Sequence, residues 1–155
     1  MRTLEQWLEE YGESHTNEVN KLIHWICVPA IFFSISGLLY CIKLPWTITG
    51  TLQLNVAMIA VLLTTIYYLT LSASISVGML LFGVCCLALC YVVETFFPVP
   101  LWGFCTIIFI LAWIGQFYGH KVEGGKPSFL KDIQFLLIGP VWLLSFVYKK
   151  MGMKY

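Results

Sequence analysis

Four long apolar stretches dominate the chain, at residues 25–42, 52–71, 75–97 and 99–118. Each is close to the ~20 residues that a helix needs to cross a ~30 Å hydrocarbon core, so the pattern predicts four transmembrane helices. Short polar or proline-bearing breaks separate them. Pro45 and Trp46 mark the first break, and Ser72, Ser74 and Ser76 the second. Pro98 and Pro100 mark the third, because proline ends helices and pushes the preceding residue toward extended backbone. Pro29 sits one turn inside the first span. Trp25, Trp46, Trp102 and Tyr118 fall near span ends, where aromatic belts are expected.

Two weaker patterns flank the spans. Leu4, Trp7, Leu8 and Tyr11 recur at helical spacing, which predicts an amphipathic helix lying on the membrane surface and ending at Gly12. A fifth apolar stretch, 133–148, is shorter and carries Gly139-Pro140. Charge decides how to read it. Arg2 and Lys21 precede the first span; Lys121, Lys126, Lys131, Lys149, Lys150 and Lys154 follow the fourth; only Lys43 lies elsewhere. Four spans therefore put eight of the nine basic residues on one side, which the positive-inside rule makes cytoplasmic. A fifth crossing would move Lys149, Lys150 and Lys154 outside and weaken the bias. The expectation is a re-entrant or interfacial hairpin broken at Pro140. Non-helical backbone at that depth must be buried in protein or line a cavity, so Gly139-Pro140 is expected to shape a pocket. The predicted architecture is an all-α integral membrane bundle. It has four transmembrane helices, an N-terminal amphipathic helix and a C-terminal re-entrant or interfacial helical hairpin, in one domain covering 1–155.

Composition agrees. The chain is 59% apolar and 11% charged, against about 25% charged in soluble domains. Between Trp46 and Trp113 the only formal charge is Glu94, at the far end of the third span. This excludes a soluble globule, and a net charge of +1 argues against nucleic acid as a partner. The acidic N-terminus has no basic start before an apolar run, so no cleaved signal peptide is expected. Cys27, Cys41, Cys85, Cys86, Cys90 and Cys105 all lie in or beside apolar runs and form no CxxC pair. They read as small packing residues rather than a disulfide framework.

The chain has three histidines, His15, His24 and His120, and all fall at ends of apolar stretches on the same predicted side of the bilayer. Neutral imidazole is a common ligand for iron, zinc and copper. His15 and His24 are nine residues apart, about 900° on one helix, so they face opposite ways unless the helix breaks between them. Asn17 is placed to cap the first span, which would let His15 fold back over the helix start. Asn20 and His24 share a face, and a helix start favours an anion such as a carboxylate. Gln116 lies one turn before His120, and Gly119 is expected to relax the end of the fourth span. Candidate metal ligands and catalytic residues are thus His15, His24 and His120. Asn17, Asn20, Lys21, Gln116 and Lys121 are candidate substrate contacts. Glu123 and Asp132 are candidate partners that orient an imidazole.

The segments around these histidines carry a resemblance. The run His15-Thr16-Asn17-Glu18-Val19-Asn20-Lys21-Leu22-Ile23-His24-Trp25-Ile26-Cys27-Val28-Pro29 resembles the N-terminal signature of a small membrane family. That family includes the fungal 2-hydroxy fatty acid dioxygenase of the endoplasmic reticulum. The run from Trp113 to Pro127, with Gln116, His120 and Glu123, resembles its second signature. Both occur in the expected order and cover nearly the whole chain between them. The resemblance implies an Fe(II)-dependent enzyme of fatty acid α-oxidation, which converts a 2-hydroxy fatty acid and O2 to an acid one carbon shorter. One position departs: Ser14-His15 stands where the fungal form has two adjacent histidines. Three histidines suffice chemically, since three protein ligands leave room for a chelating 2-hydroxy acid and for O2. Lys21 or Lys121 would pair with the arriving carboxylate, and the acyl tail would lie among the spans.

Two other readings keep the same residues. A haem protein would use two axial histidines, such as His24 and His120, in a four-helix bundle. A non-catalytic lipid-binding or scaffold protein would bind no metal. In every reading the partner is the bilayer, with both termini cytoplasmic. That bilayer would be an inner membrane in a bacterium or the endoplasmic reticulum in a eukaryote.

Overall fold

A computed structural model describes residues 2–50, 52–124 and 135–155. Among them the chain forms α1 (Leu4–Glu13), α2 (Glu18–Tyr40), β1 (Lys43–Thr49), β2 (Leu52–Asn55), α3 (Val56–Leu69), α4 (Ala73–Phe96), α5 (Leu101–Glu123) and α6 (Ile138–Lys150). Local chemistry sets most of these boundaries. Thr3 and Gln6 make a reciprocal capping box at the start of α1. The Asn17 side chain accepts from the backbone N–H of Val19 and Asn20 and starts α2, as its position in the sequence predicts. Asn55 and Ser72 cap α3 and α4 in the same way. Gly124, at φ 78°, takes the left-handed conformation that closes α5.

Among the described residues three helices, α2, α4 and α5, are long and apolar enough to cross a membrane. Their outward faces carry Leu81, Ile107, Leu111 and Ile114, a surface that suggests a lipid environment. The expected second span is different. Residues 52–55 pair with β1 in an antiparallel hairpin, with Lys43 opposite Asn55 and Thr47 opposite Gln53. The alternating Thr47-Ile48-Thr49 run, rich in β-branched residues and followed by Gly50, suits a pleated ribbon better than a helix. What remains of the stretch is α3, a 14-residue helix of about 21 Å. That is short of the ~30 Å core.

Helices α2 to α5 pack together as one bundle. At one end Lys43 of β1 pairs with Glu94 of α4 at 2.9 Å and lies over the Tyr40 ring. The lone charge of the third apolar stretch is therefore paired with Lys43. At the other end the α3–α4 turn meets α6: Tyr68 donates to the Leu137 carbonyl and Tyr148 to the Ser74 carbonyl, each at 2.8 Å. Leu4 of α1 joins Tyr68, Ile75, Met79, Val141 and Tyr148 in a buried cluster there. The apolar face of α1 thus docks on α6 rather than serving only as a membrane-surface helix. α6 itself runs unbroken through Pro140, which occupies the first turn, where a missing N–H costs nothing. The hairpin break expected at Pro140 does not occur.

α2 is the central helix and packs against α3, α4, α5 and α6, most extensively against α5. Glycines allow that closeness. A Cβ at Gly115 would lie 2.6 Å from Cys27 Sγ, and one at Gly119 would collide with Asn20 Oδ1. All six cysteines are free thiols, and Cys86, Cys90 and Cys105 are buried as packing residues.

Candidate metal centre

The three histidines converge where α2 begins and α5 ends. His15 comes from the Ser14–Asn17 connection that breaks α1 from α2, His24 from the second turn of α2, and His120 from the last turn of α5. One ligand nitrogen from each lies within 4.8 Å of the others. Ring centroids are 4.2 Å apart for His15 and His24, 5.2 Å for His24 and His120, and 5.6 Å for His15 and His120. His15 and His24 are buried and His120 partly so.

Backbone geometry orients two of the rings. His15 Nδ1 is 2.6 Å from the Tyr11 carbonyl and His24 Nδ1 is 2.9 Å from the Asn20 carbonyl, in each case four residues back. A carbonyl only accepts, so each Nδ1 carries the proton and donates it. In a neutral imidazole that leaves the lone pair on Nε2. Anchoring one ring nitrogen so that the other is a basic ligand is the usual construction of histidine metal sites. Tyr11 also stacks on His15, with centroids 4.2 Å apart and planes 11° apart, and Trp142 of α6 packs on both rings. The donor set, three imidazoles of which two are buried, fits a divalent first-row transition metal.

Glu123 ties the three contributing segments together. Its carboxylate accepts from the Thr16 N–H at 2.8 Å, the Asn17 N–H at 3.0 Å and Asn20 Nδ2 at 2.8 Å, and also from the Thr16 hydroxyl. Asn20 is fully buried and sits in the space that Gly119 leaves open. The residue expected to partner an imidazole therefore holds the backbone that carries His15 and His24 against the helix that carries His120. Gly119 does not relax α5, which runs on to Glu123; its lack of a side chain admits Asn20.

A small cavity opens beside the cluster, lined by His24 and His120 together with Val28, Ile31, Trp113 and Gln116. Gln116 is 7% exposed, and its Oε1 has no hydrogen-bond partner among the described residues. Other expected substrate contacts lie elsewhere. Lys21 pairs with Glu18 at 2.8 Å, Lys121 is exposed, and neither lines the cavity. The Asn17 side chain caps α2. Ser14 is exposed, and its hydroxyl donates to the Tyr11 carbonyl. Asp132, Lys126 and Lys131 lie outside the described residues.

Over residues 1–151 the chain matches the Mpo1-like family, described as 2-hydroxy-palmitic acid dioxygenase Mpo1-like. The chain belongs to the Mpo1-like family. It is 32% identical over 144 residues to the 2-hydroxy-palmitic acid dioxygenase MPO1 of Saccharomyces cerevisiae, covering 90% of this chain and 76% of the yeast protein. No solved structure matches it. Tyr11, Trp113 and Trp142, which wall the site of this family member, do not stand out as site residues in the sequence. The Gly115-xxx-Gly119 spacing is a readable signal of close helix contact. Nothing in the sequence marks Trp142.

Proposed function

We propose that this chain is a dioxygenase of 2-hydroxy fatty acids that holds Fe(II) through His15, His24 and His120. The observation that carries the reading is the convergence of three imidazoles, two with Nδ1 anchored on backbone carbonyls, beside a cavity. Family membership and the yeast relative's activity support the substrate class. Fe(II) bound there would supply Lewis acidity toward the substrate's oxygens and the redox chemistry that O2 requires.

The chain's own residues do the rest. The anchored imidazoles hold a fixed geometry as substrate arrives. Gln116 Oε1, buried beside His120 with an open acceptor position, accepts a hydrogen bond from the substrate's 2-hydroxyl and orients the C1–C2 bond. Val28 and Ile31 keep water from that end of the cavity. With O2 as the only oxidant, one 2-hydroxy acid gives the acid one carbon shorter, carbon dioxide and water. The C1–C2 bond breaks, four electrons leave the substrate, both oxygen atoms are reduced, and no added reductant is needed.

The packing favours a bare ion over haem. The His15 ring, 4.2 Å from His24, takes the space that a macrocycle between two axial imidazoles requires. α1 and α6 lie at the same end of the bundle as the site, and the excess of basic residues in the segments there supports a cytoplasmic placement of that end. The host membrane would be the inner membrane of a bacterium or the endoplasmic reticulum of a eukaryote.

The test is to purify the chain anaerobically, load it with Fe(II), and supply a 2-hydroxy fatty acid and O2. About one iron per chain, no Soret band and an acid one carbon shorter are expected. Absence of metal after loading, or of product from the loaded protein, overturns the reading.

A further inference from the structure

A second cavity, lined almost wholly by apolar side chains, lies between α2 and α3. It shares Leu136, just ahead of α6, with the histidine cavity. The two also follow one stripe of α2. His24, Val28 and Ile31 line the first, and Ile35 and Leu39 line the second. These positions recur at intervals of four, three, four and four residues, which is a single helix face. The stripe rises about 22 Å from His24 to Leu39. One leaflet of tails accounts for about half of the ~30 Å hydrocarbon core, or ~15 Å, so the stripe is long enough for a long-chain tail below its headgroup.

The opposite wall is α3, where Ala57 and Ala60 leave the space. The two hydroxyls in the lining are already satisfied: Ser36 donates to the Phe32 carbonyl at 2.8 Å and Thr64 to the Ala60 carbonyl at 2.9 Å. The groove therefore offers its occupant only apolar contact. A third apolar cavity, between Pro29, Phe82 and Leu144, shares no lining residue with the histidine cavity.

We propose that the α2–α3 groove holds the acyl tail of the 2-hydroxy fatty acid and sets the chain length that the enzyme accepts, with Ala60 and Ile35 as its gauge. This rests on the histidine site binding the substrate's head. Each methylene that loses its apolar surroundings changes relative affinity about fourfold.

Ala60→Phe and Ile35→Trp fill the groove from opposite walls, and a folding check in detergent accompanies both. Turnover of 2-hydroxy acids of graded length is compared with the wild type. The expected result is a fall of about tenfold or more in kcat/KM for long relative to short substrates, with short substrates still turned over. An unchanged length profile in a folded, active variant overturns the proposal. Wild-type protein is also photolysed with a 2-hydroxy fatty acid bearing a diazirine at its ω end, and the adducts are mapped by mass spectrometry. Label on α2 and α3 around Ile35 and Ala60 supports the groove even if turnover fails, in which case only the site reading falls. Label at Phe82 and Leu144, or spread over outward faces, rejects the groove while the histidine site stands.

Discussion

Replacing Glu123 with alanine removes the acceptor that joins the end of α5 to the start of α2. Its donors differ in how well they survive the loss. Thr16 is exposed, so its N–H and hydroxyl turn to water at little cost. Asn20 is fully buried, and the Asn17 N–H is partly so. Hydrogen bonds to a charged group contribute about 1.5–3 kcal/mol each, and stranded buried donors cost about as much. Counting Asn20 in full, the partly buried Asn17 N–H at about half and the exposed pair not at all leaves a loss of about 2–4 kcal/mol, or roughly 4–16 °C in Tm for a chain of this size. The backbone that moves carries His15 and anchors His24 Nδ1, so metal affinity is expected to fall about 10- to 100-fold, as for other supporting residues around metal sites. Glu123→Gln keeps one acceptor oxygen and should fall between alanine and the wild type. Glu18→Gln makes the same charge change in an exposed pair with Lys21 and should alter neither quantity appreciably. The assay is a titration with Co(II) as an optical probe, alongside thermal unfolding in detergent. A lower Tm with affinity within about twofold of the wild type would refute the link from Glu123 to the metal. No change in either would refute the hydrogen-bond network itself.

Other outcomes follow from the same geometry. His15→Ala, His24→Ala and His120→Ala should each abolish stoichiometric iron binding and turnover while the protein stays folded, read by metal analysis and circular dichroism. Gln116→Leu leaves the imidazoles intact and should lower kcat/KM about 10- to 100-fold with iron content unchanged; full activity would remove Gln116 from the substrate site. Gly119→Ala puts a methyl group into Asn20 and should cost about 1–3 kcal/mol and weaken metal binding, whereas Gly103→Ala, near only the Pro100 ring, should do neither, as thermal unfolding and Co(II) titration would show. Lys43→Met breaks the partly exposed pair with Glu94 at the opposite end of the bundle and should change stability by less than about 1 kcal/mol and activity not at all.

The convergence of the three histidines is legible in the sequence because its signals are local. Asn17 between His15 and His24 announces a helix start, and a start there is what lets residues nine apart meet. Long-range contacts are not legible in the same way. Sequence names Glu123 as a supporting residue but does not join it to Thr16, Asn17 and Asn20, which lie more than 100 residues away in the chain. Lys21 and Lys121 satisfy the charge argument for binding a carboxylate. Helix geometry instead points Lys21 at Glu18 and leaves Lys121 on the surface. The second span is overextended by its pattern because apolar content does not separate strand from helix over short runs. Pairing between β1 and β2 decides it.

Hydrophobic patterning, by itself, determined that this chain is a helical protein with long apolar helices, since closed barrels aside no other fold satisfies the backbone of such stretches in lipid. Histidine content and the polar breaks determined which residues are candidates to hold a metal. Tertiary structure decided how tightly those residues meet: Gly115 and Gly119 draw α5 against α2, Glu123 clamps the His15 loop, and Tyr11 with Trp142 packs that ring. Each of these depends on side chains from separate helices filling one small volume, and helical periodicity reports only which face a residue shares with its own neighbours.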